Sequence, residues 1–243
     1  MTTSFPGKRP DPIRIETTRE LSEAIKNKQS LIGADLADAS LARGLFDKVK
    51  MPKASFVKAN LRGVSMKEAD LRLANFRRAE MERGNFSKAD LRGASFGQTV
   101  GDYCNLSQAK LDKSSFQNSR FNSADFKQVS LIAASLAEGN FFESNFKEAV
   151  LQRANLTSCS LVSCDLTGAD LRQANLTDAN LQGCTLTNIL IDGADFSGTK
   201  MSDEQREFLL SIASGTNEFT GQDTAQTLQD SMPPKQRKLF GIF

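Results

Sequence analysis

Gly168–Gly183 reads GADLRQANLTDANLQG, a unit of five residues said three times over. Leu171, Leu176 and Leu181 keep the beat, Ala169, Ala174 and Ala179 precede them by two, and Asp170, Asn175 and Asn180 stand between. The beat runs outward in both directions without an insertion. From Leu31 to Met201, 34 of the 35 positions in this register are large and apolar; Gly101 is the exception. The position two residues earlier is usually small (Ala34, Ala59, Gly84, Ala124, Ala154, Ala194), and the one between is usually Asp, Asn or Ser.

Five is the period of neither a helix nor a strand. On a helix these side chains would spread around the surface; on a strand they would alternate between faces. A chain that turns a corner every five residues keeps every fifth side chain inside. Four such sides close a coil of twenty residues, and the large residue fills the interior beside the small one. Asp, Asn and Ser suit the corners, where they bond nearby backbone. At roughly 4.8 Å per coil, eight to nine coils make a rod of about 40 Å.

The pattern, clearest in GADLRQANLTDANLQG, resembles the A(D/N)LXX motif of the pentapeptide-repeat family, over Leu31 to about Met201. The resemblance implies an all-β solenoid, a right-handed quadrilateral parallel β-helix. It does not imply one function, because members of the family serve diverse roles.

A solenoid exposes an apolar face at each end and needs caps. Three segments are therefore expected: 1–30, an N-terminal arm and capping helix; 31–201, the repeats; 202–243, a C-terminal capping helix and mobile tail. Glu16–Ser30 reads as a short helix capped by Thr17 or Thr18, with Leu21 and Ile25 on the first coil. Met201–Gly215 reads as a second, with Ser202 as N-cap, Gln205 three residues on, and Phe208, Leu209 and Ile212 on the last coil. Beyond Gly215 the polar composition predicts mobility, with a weak helix near Thr224–Gln229.

The chain of 243 residues carries a formal net charge of +2 and no histidine. That balance argues against a strongly basic nucleic-acid binder. Without histidine there is no Ser/His/Asp set and no usual zinc or haem ligand. Cys104, Cys159, Cys164 and Cys184 all hold the small interior position, as core residues. Asp35, Asp70, Asp90, Asp125, Asp165, Asp170 and Asp195 recur at one repeat position, which a structural role explains. No catalytic, cofactor-binding or metal site is therefore expected, and no cofactor. No apolar run is long enough to span a membrane, and the polar start MTTSFPGKRP lacks the apolar stretch of a secretory signal. The expectation is a bacterial protein of the cytoplasm, delivery by a dedicated secretion system being the alternative.

Three places look like partner-binding sites. Leu31–Val100 holds thirteen basic and eight acidic residues, against eight and eleven in Gly101–Lys200. With twenty residues per coil, Arg72 stacks near Arg92 and Lys58 near Arg78, beside Arg77, as a basic patch for an acidic partner. Gly101 suggests a kink or notch that displays Tyr103. The tail Lys235–Phe243, KQRKLFGIF, joins basic residues to Leu239, Phe240, Ile242 and Phe243. Gln236–Phe240 is similar to the Q-x-x-L-F peptides that bind bacterial sliding clamps. Such a tail docks on a partner, on this molecule, or on a second copy as a homodimer.

The reading is a non-catalytic protein–protein interaction scaffold, its protein partner unidentified. The alternative is a DNA-mimicking regulator or protector of DNA gyrase or another topoisomerase, which the family resemblance suggests and a basic first half disfavours. A secreted bacterial effector is the third reading.

Overall fold

The computed structural model describes residues 12–231. From Asp35 onward one parallel bridge forms per pentapeptide, between residues twenty apart: Asp35 with Ser55, Asn60 with Glu80, and so on to Asn180 with Lys200; ahead of them Arg14 and Thr17 bridge to Asp35 and Ser40. Each coil thus has four sides, and each side is tied to the next coil by three amides. Leu36 and Asp38 donate forward to Ser55 O at 2.7 Å and Val57 O at 2.8 Å; Ser55 donates back to Ala34 O at 2.9 Å. The bridges stay isolated because a corner interrupts every side after a few residues.

The corner itself is the pair after each large residue. The amide of Ala39 closes it on Leu36 O at 3.2 Å, and Asp38 takes φ +59°. Every corner from Gly33 to Gly198 repeats this left-handed residue, most of them with a side chain other than glycine. That conformation costs L-residues about 1–2 kcal/mol, which the ladder on both sides offsets. The Asp, Asn and Ser residues expected at the corners sit just ahead of them, at the bridges. The Asp and Asn side chains among them accept from the amide two residues on, as Asp35 does from Ala37 at 3.0 Å and Asn75 from Arg77 at 3.1 Å.

The large residues fill the interior in columns. Phe56, Phe76, Phe96 and Phe116 stack in parallel with centroids 4.7, 5.1 and 4.5 Å apart. The small position answers to its neighbours: the rings of Phe46, Phe86 and Phe141 lie where a Cβ at Gly44, Gly84 or Gly139 would project. Where Thr99, Ser144, Cys164 or Thr199 replaces alanine, its hydroxyl or thiol donates to a buried carbonyl one coil back, at 2.6–2.9 Å.

Helix α1 (Thr18–Lys26) begins at Thr17, whose hydroxyl accepts from the Glu20 amide at 3.2 Å. It buries Leu21 and Ala24; Ile25, expected on the first coil, is exposed. Helix α2 (Asp203–Ile212) starts in a reciprocal capping box of Ser202 and Gln205. It buries Leu209 and Arg206, whereas Phe208 and Ile212 remain partly open. Helix α3 (Thr224–Asp230) follows. The mobility expected from Thr216 is corrected for residues 216–231: Asn217, Thr224, Thr227 and Leu228 are buried there. Few apolar residues are needed, because polar side chains replace the missing next coil. Asn217 Nδ2 donates to Ala174 O and Gly193 O, and Thr227 Oγ1 accepts from the Phe196 amide. Among the described residues no helix is long and apolar enough to cross a membrane.

Candidate functional site

The coil register fixes which side chains share a corner. Arg72 and Arg92 stack on one. Arg77 and Arg78 occupy the next, and Tyr103 stands on the corner after that, diagonally across the rod from Arg72. The single basic patch expected from the sequence is therefore split between two corners, and Tyr103 stands on a third. Gln236, Leu239, Phe240, Ile242 and Phe243 lie outside the described residues.

Arg72 and Arg92 are held by their own repeats. Arg72 Nε and Nη2 donate to the two carboxylate oxygens of Asp70 at 2.8 and 2.7 Å. Arg92 holds Asp90 the same way at 2.8 and 2.6 Å. Arg72 also lies 3.8 Å from Asp90, which links the coils in a ladder of alternating sign. These bonds hold the Asp70 and Asp90 carboxyls below the usual carboxylate range. The excess of basic residues is thus largely neutralised here, and what remains is a pair of guanidiniums fixed in orientation.

Beside them stands Leu73, 56% exposed at a corner with φ +59°. Its side chain rests over Gly93, where a Cβ would approach Leu73 Cδ2 to 2.7 Å. Pro52, Lys53, Arg72, Leu73 and Arg92 line a shallow cleft of roughly 420 Å³. Ile32, also exposed, stands on the same corner one coil before Pro52. Sequence reasoning missed these apolar members, although their signal is plain: Leu73 is a large apolar residue at a corner position that is otherwise polar or glycine in most repeats.

Arg77 and Arg78 form no ion pair among the described residues. The stem of Arg77 lies along Gly97, and Arg78 Nε donates to Gln98 Oε1 at 2.8 Å. On the far corner, Arg43, Arg62, Gly63, Glu82, Arg83, Asp102 and Tyr103 line a second cleft of roughly 450 Å³. Arg83 sits 5.9 Å from the Tyr103 ring centroid, and Arg62 pairs with Glu82 at 2.9 Å. Gly101 makes no notch there. It is buried, and Tyr103 is exposed because it holds the corner position, with φ +60°.

Among the described residues no cluster of Cys, Asp and Glu gathers as a metal-ligand set. All four cysteines are free and buried, and burial pushes the Cys104 and Cys159 thiols up.

HetL of Nostoc sp. strain PCC 7120, a pentapeptide repeat protein involved in heterocyst differentiation regulation, is 27% identical; the match covers 81% of this chain and 93% of HetL, with TM-score 0.45. A pentapeptide repeat protein of the Arabidopsis thaliana thylakoid lumen is 26% identical over 59% of this chain and 89% of its own, with TM-score 0.31. A trypsin-treated form of QnrB1, a plasmid-mediated fluoroquinolone resistance protein, is 19% identical over 73% and 95%, with TM-score 0.40. No curated protein sequence matches. The family model for pentapeptide repeats matches eight copies, over residues 30–67, 54–93, 102–137, 134–173 and 169–203. With the five-residue beat and the twenty-residue ladder both in place, the chain belongs to the pentapeptide-repeat family.

Proposed function

We propose that this chain is a non-catalytic scaffold, a right-handed quadrilateral β-helix that binds a protein partner in a bacterial cytoplasm. The observation that carries the reading is the corner of Pro52, Arg72, Leu73 and Arg92. Two guanidiniums, each fixed by its own aspartate, line a cleft with an exposed leucine that the core does not need. Such a surface suits a protein segment that offers a carboxylate beside an apolar side chain. Fixing the arginines in advance lowers the entropy lost on binding. A gyrase regulator that imitates DNA calls for a continuous acidic stripe; the alternating Asp70–Arg72–Asp90–Arg92 ladder does not supply one. A delivered effector draws no specific support.

The test is binding by the full chain beside Leu73→Glu and Gln108→Glu, both checked for folding by circular dichroism. Gln108 lies on a different corner. A partner that wild type and Gln108→Glu retain, and Leu73→Glu loses, supports the reading. Retention by all three refutes this corner as the interface. Turnover of a substrate that depends on one repeat aspartate refutes the scaffold itself.

A further inference from the structure

The last coil is sealed on some sides and open on another. On its Ile191–Lys200 sides, the chain that follows supplies acceptors to three of the amides a next coil would have met. Ser214 O takes the Gly193 amide at 2.8 Å, Thr227 Oγ1 the Phe196 amide at 3.1 Å, and Ser231 Oγ the Gly198 amide at 3.1 Å. On the Leu186–Leu190 side this does not happen. One coil earlier, the equivalent amides of Leu166 and Gly168 bond to Thr185 O and Thr187 O. Those of Leu186 and Asn188 find no such acceptor among the described residues, because the chain has turned into α2.

Beside this bare edge lies an apolar groove of roughly 480 Å³, lined by Cys184, Leu186, Ile189, Phe208 and Ile212 among others. Cys184 is 8% exposed, against 1% or less for the other three cysteines; Phe208 is 39% exposed. Glu204 lines the groove too, and Glu207 follows on the same helix. The site thus offers apolar contact, free amides in strand register, and negative charge at its helical rim.

We propose that this groove binds the chain's own segment Lys235–Phe243, KQRKLFGIF. Leu239, Phe240, Ile242 and Phe243 match the apolar floor, and Lys235, Arg237 and Lys238 match Glu204 and Glu207. An extended segment also supplies carbonyls to an unpaired edge, the logic of strand addition. Reach decides for the same molecule. Ser231 is anchored on Phe196 O at 3.0 Å, on the side of the coil opposite Leu186. Seven residues lie between it and Leu239, eight steps of chain that span up to about 26 Å, against roughly 10 Å between facing walls. So short a tether gives a millimolar effective concentration, on the order of 10⁻³ M, which a second copy does not match in dilute solution. This proposal is independent of the corner assigned to a partner above.

The experiment is thiol labelling of the purified full chain, read at each cysteine by mass spectrometry. Cys184 is expected to label at least about tenfold faster in Leu239→Ser/Phe240→Ser than in wild type, while Cys104 and Cys159 stay unlabelled and so report an intact rod. Equal rates at Cys184 in the two proteins overturn the proposal. A second arm uses Phe240→Cys under mild oxidation. A disulfide to Cys184 within one chain is the expected product. A disulfide-linked dimer assigns the groove to a second copy and overturns the intramolecular form; no disulfide to Cys184 overturns both.

Discussion

The ring of Phe121 occupies the space that a side chain at Gly101 would need: a Cβ built on Gly101 collides with Phe121 Cε1 and Cδ1. These residues hold the same place in successive coils. Phe121 meets Phe116 edge to face at 5.2 Å and lies over Phe141 at 6.2 Å. The missing beat is therefore filled from the next coil. Gly101 is needed for the room it leaves rather than for its backbone freedom, since its φ is not positive.

Restoring the beat should consequently harm the protein. Gly101→Leu is expected to destabilise by about 1–3 kcal/mol, as overpacking does. Adding Phe121→Ala should recover part of that loss, although Phe121→Ala alone costs about 3–5 kcal/mol. Denaturant unfolding of the four proteins measures the coupling. Additive losses would mean that the two side chains do not share a volume.

Asp70 and Asp90 predict an acid limb. Their folded pKa values lie below the unfolded one, so the stabilisation is present above pH 4 or so and is lost as pH falls through the lower folded value. Asp70→Asn/Asp90→Asn should melt lower than wild type at pH 7 and converge on it towards pH 2. Melting curves that stay parallel across this range would show that the arginine pairs add nothing to folding.

Asn217 is the clasp of the C-terminal segment. Its Oδ1 accepts from the Phe219 and Thr220 amides, both at 3.0 Å, in addition to its two donated bonds. Asn217→Ala leaves buried backbone groups unpaired, at about 1–3 kcal/mol each. Hydrogen exchange should accelerate over residues 216–231 while coils near Phe76 keep their protection. Unchanged exchange over 216–231 would mean that the segment is held by something else.

Much of this fold could be read directly from the residues. Leu171, Leu176 and Leu181 demand a chain that turns every five residues, and the same rule orders nearly every interior side chain. The ends were harder. Ala24 buries where Ile25 was expected, because docking geometry, not apolarity, selects the face of a helix as short as α1. Residues 216–231 looked polar, and polarity is what seals a coil end whose exposed groups are amides and carbonyls. The candidate site was half legible. Register placed Arg72 over Arg92, but their bonds to Asp70 and Asp90 depend on side-chain geometry that a count of charges does not carry. Leu73 was visible as an oddity only once the corner position was known.

The most direct test of the proposed scaffold is a photo-crosslinking amino acid placed at Leu73 in the full chain, with Gln108 as the matched control. Irradiation in host lysate should link the Leu73 position to one protein and the Gln108 position to none, and Arg72→Ala/Arg92→Ala should weaken the link. No product at Leu73, or the same products at both positions, would contradict binding through this corner.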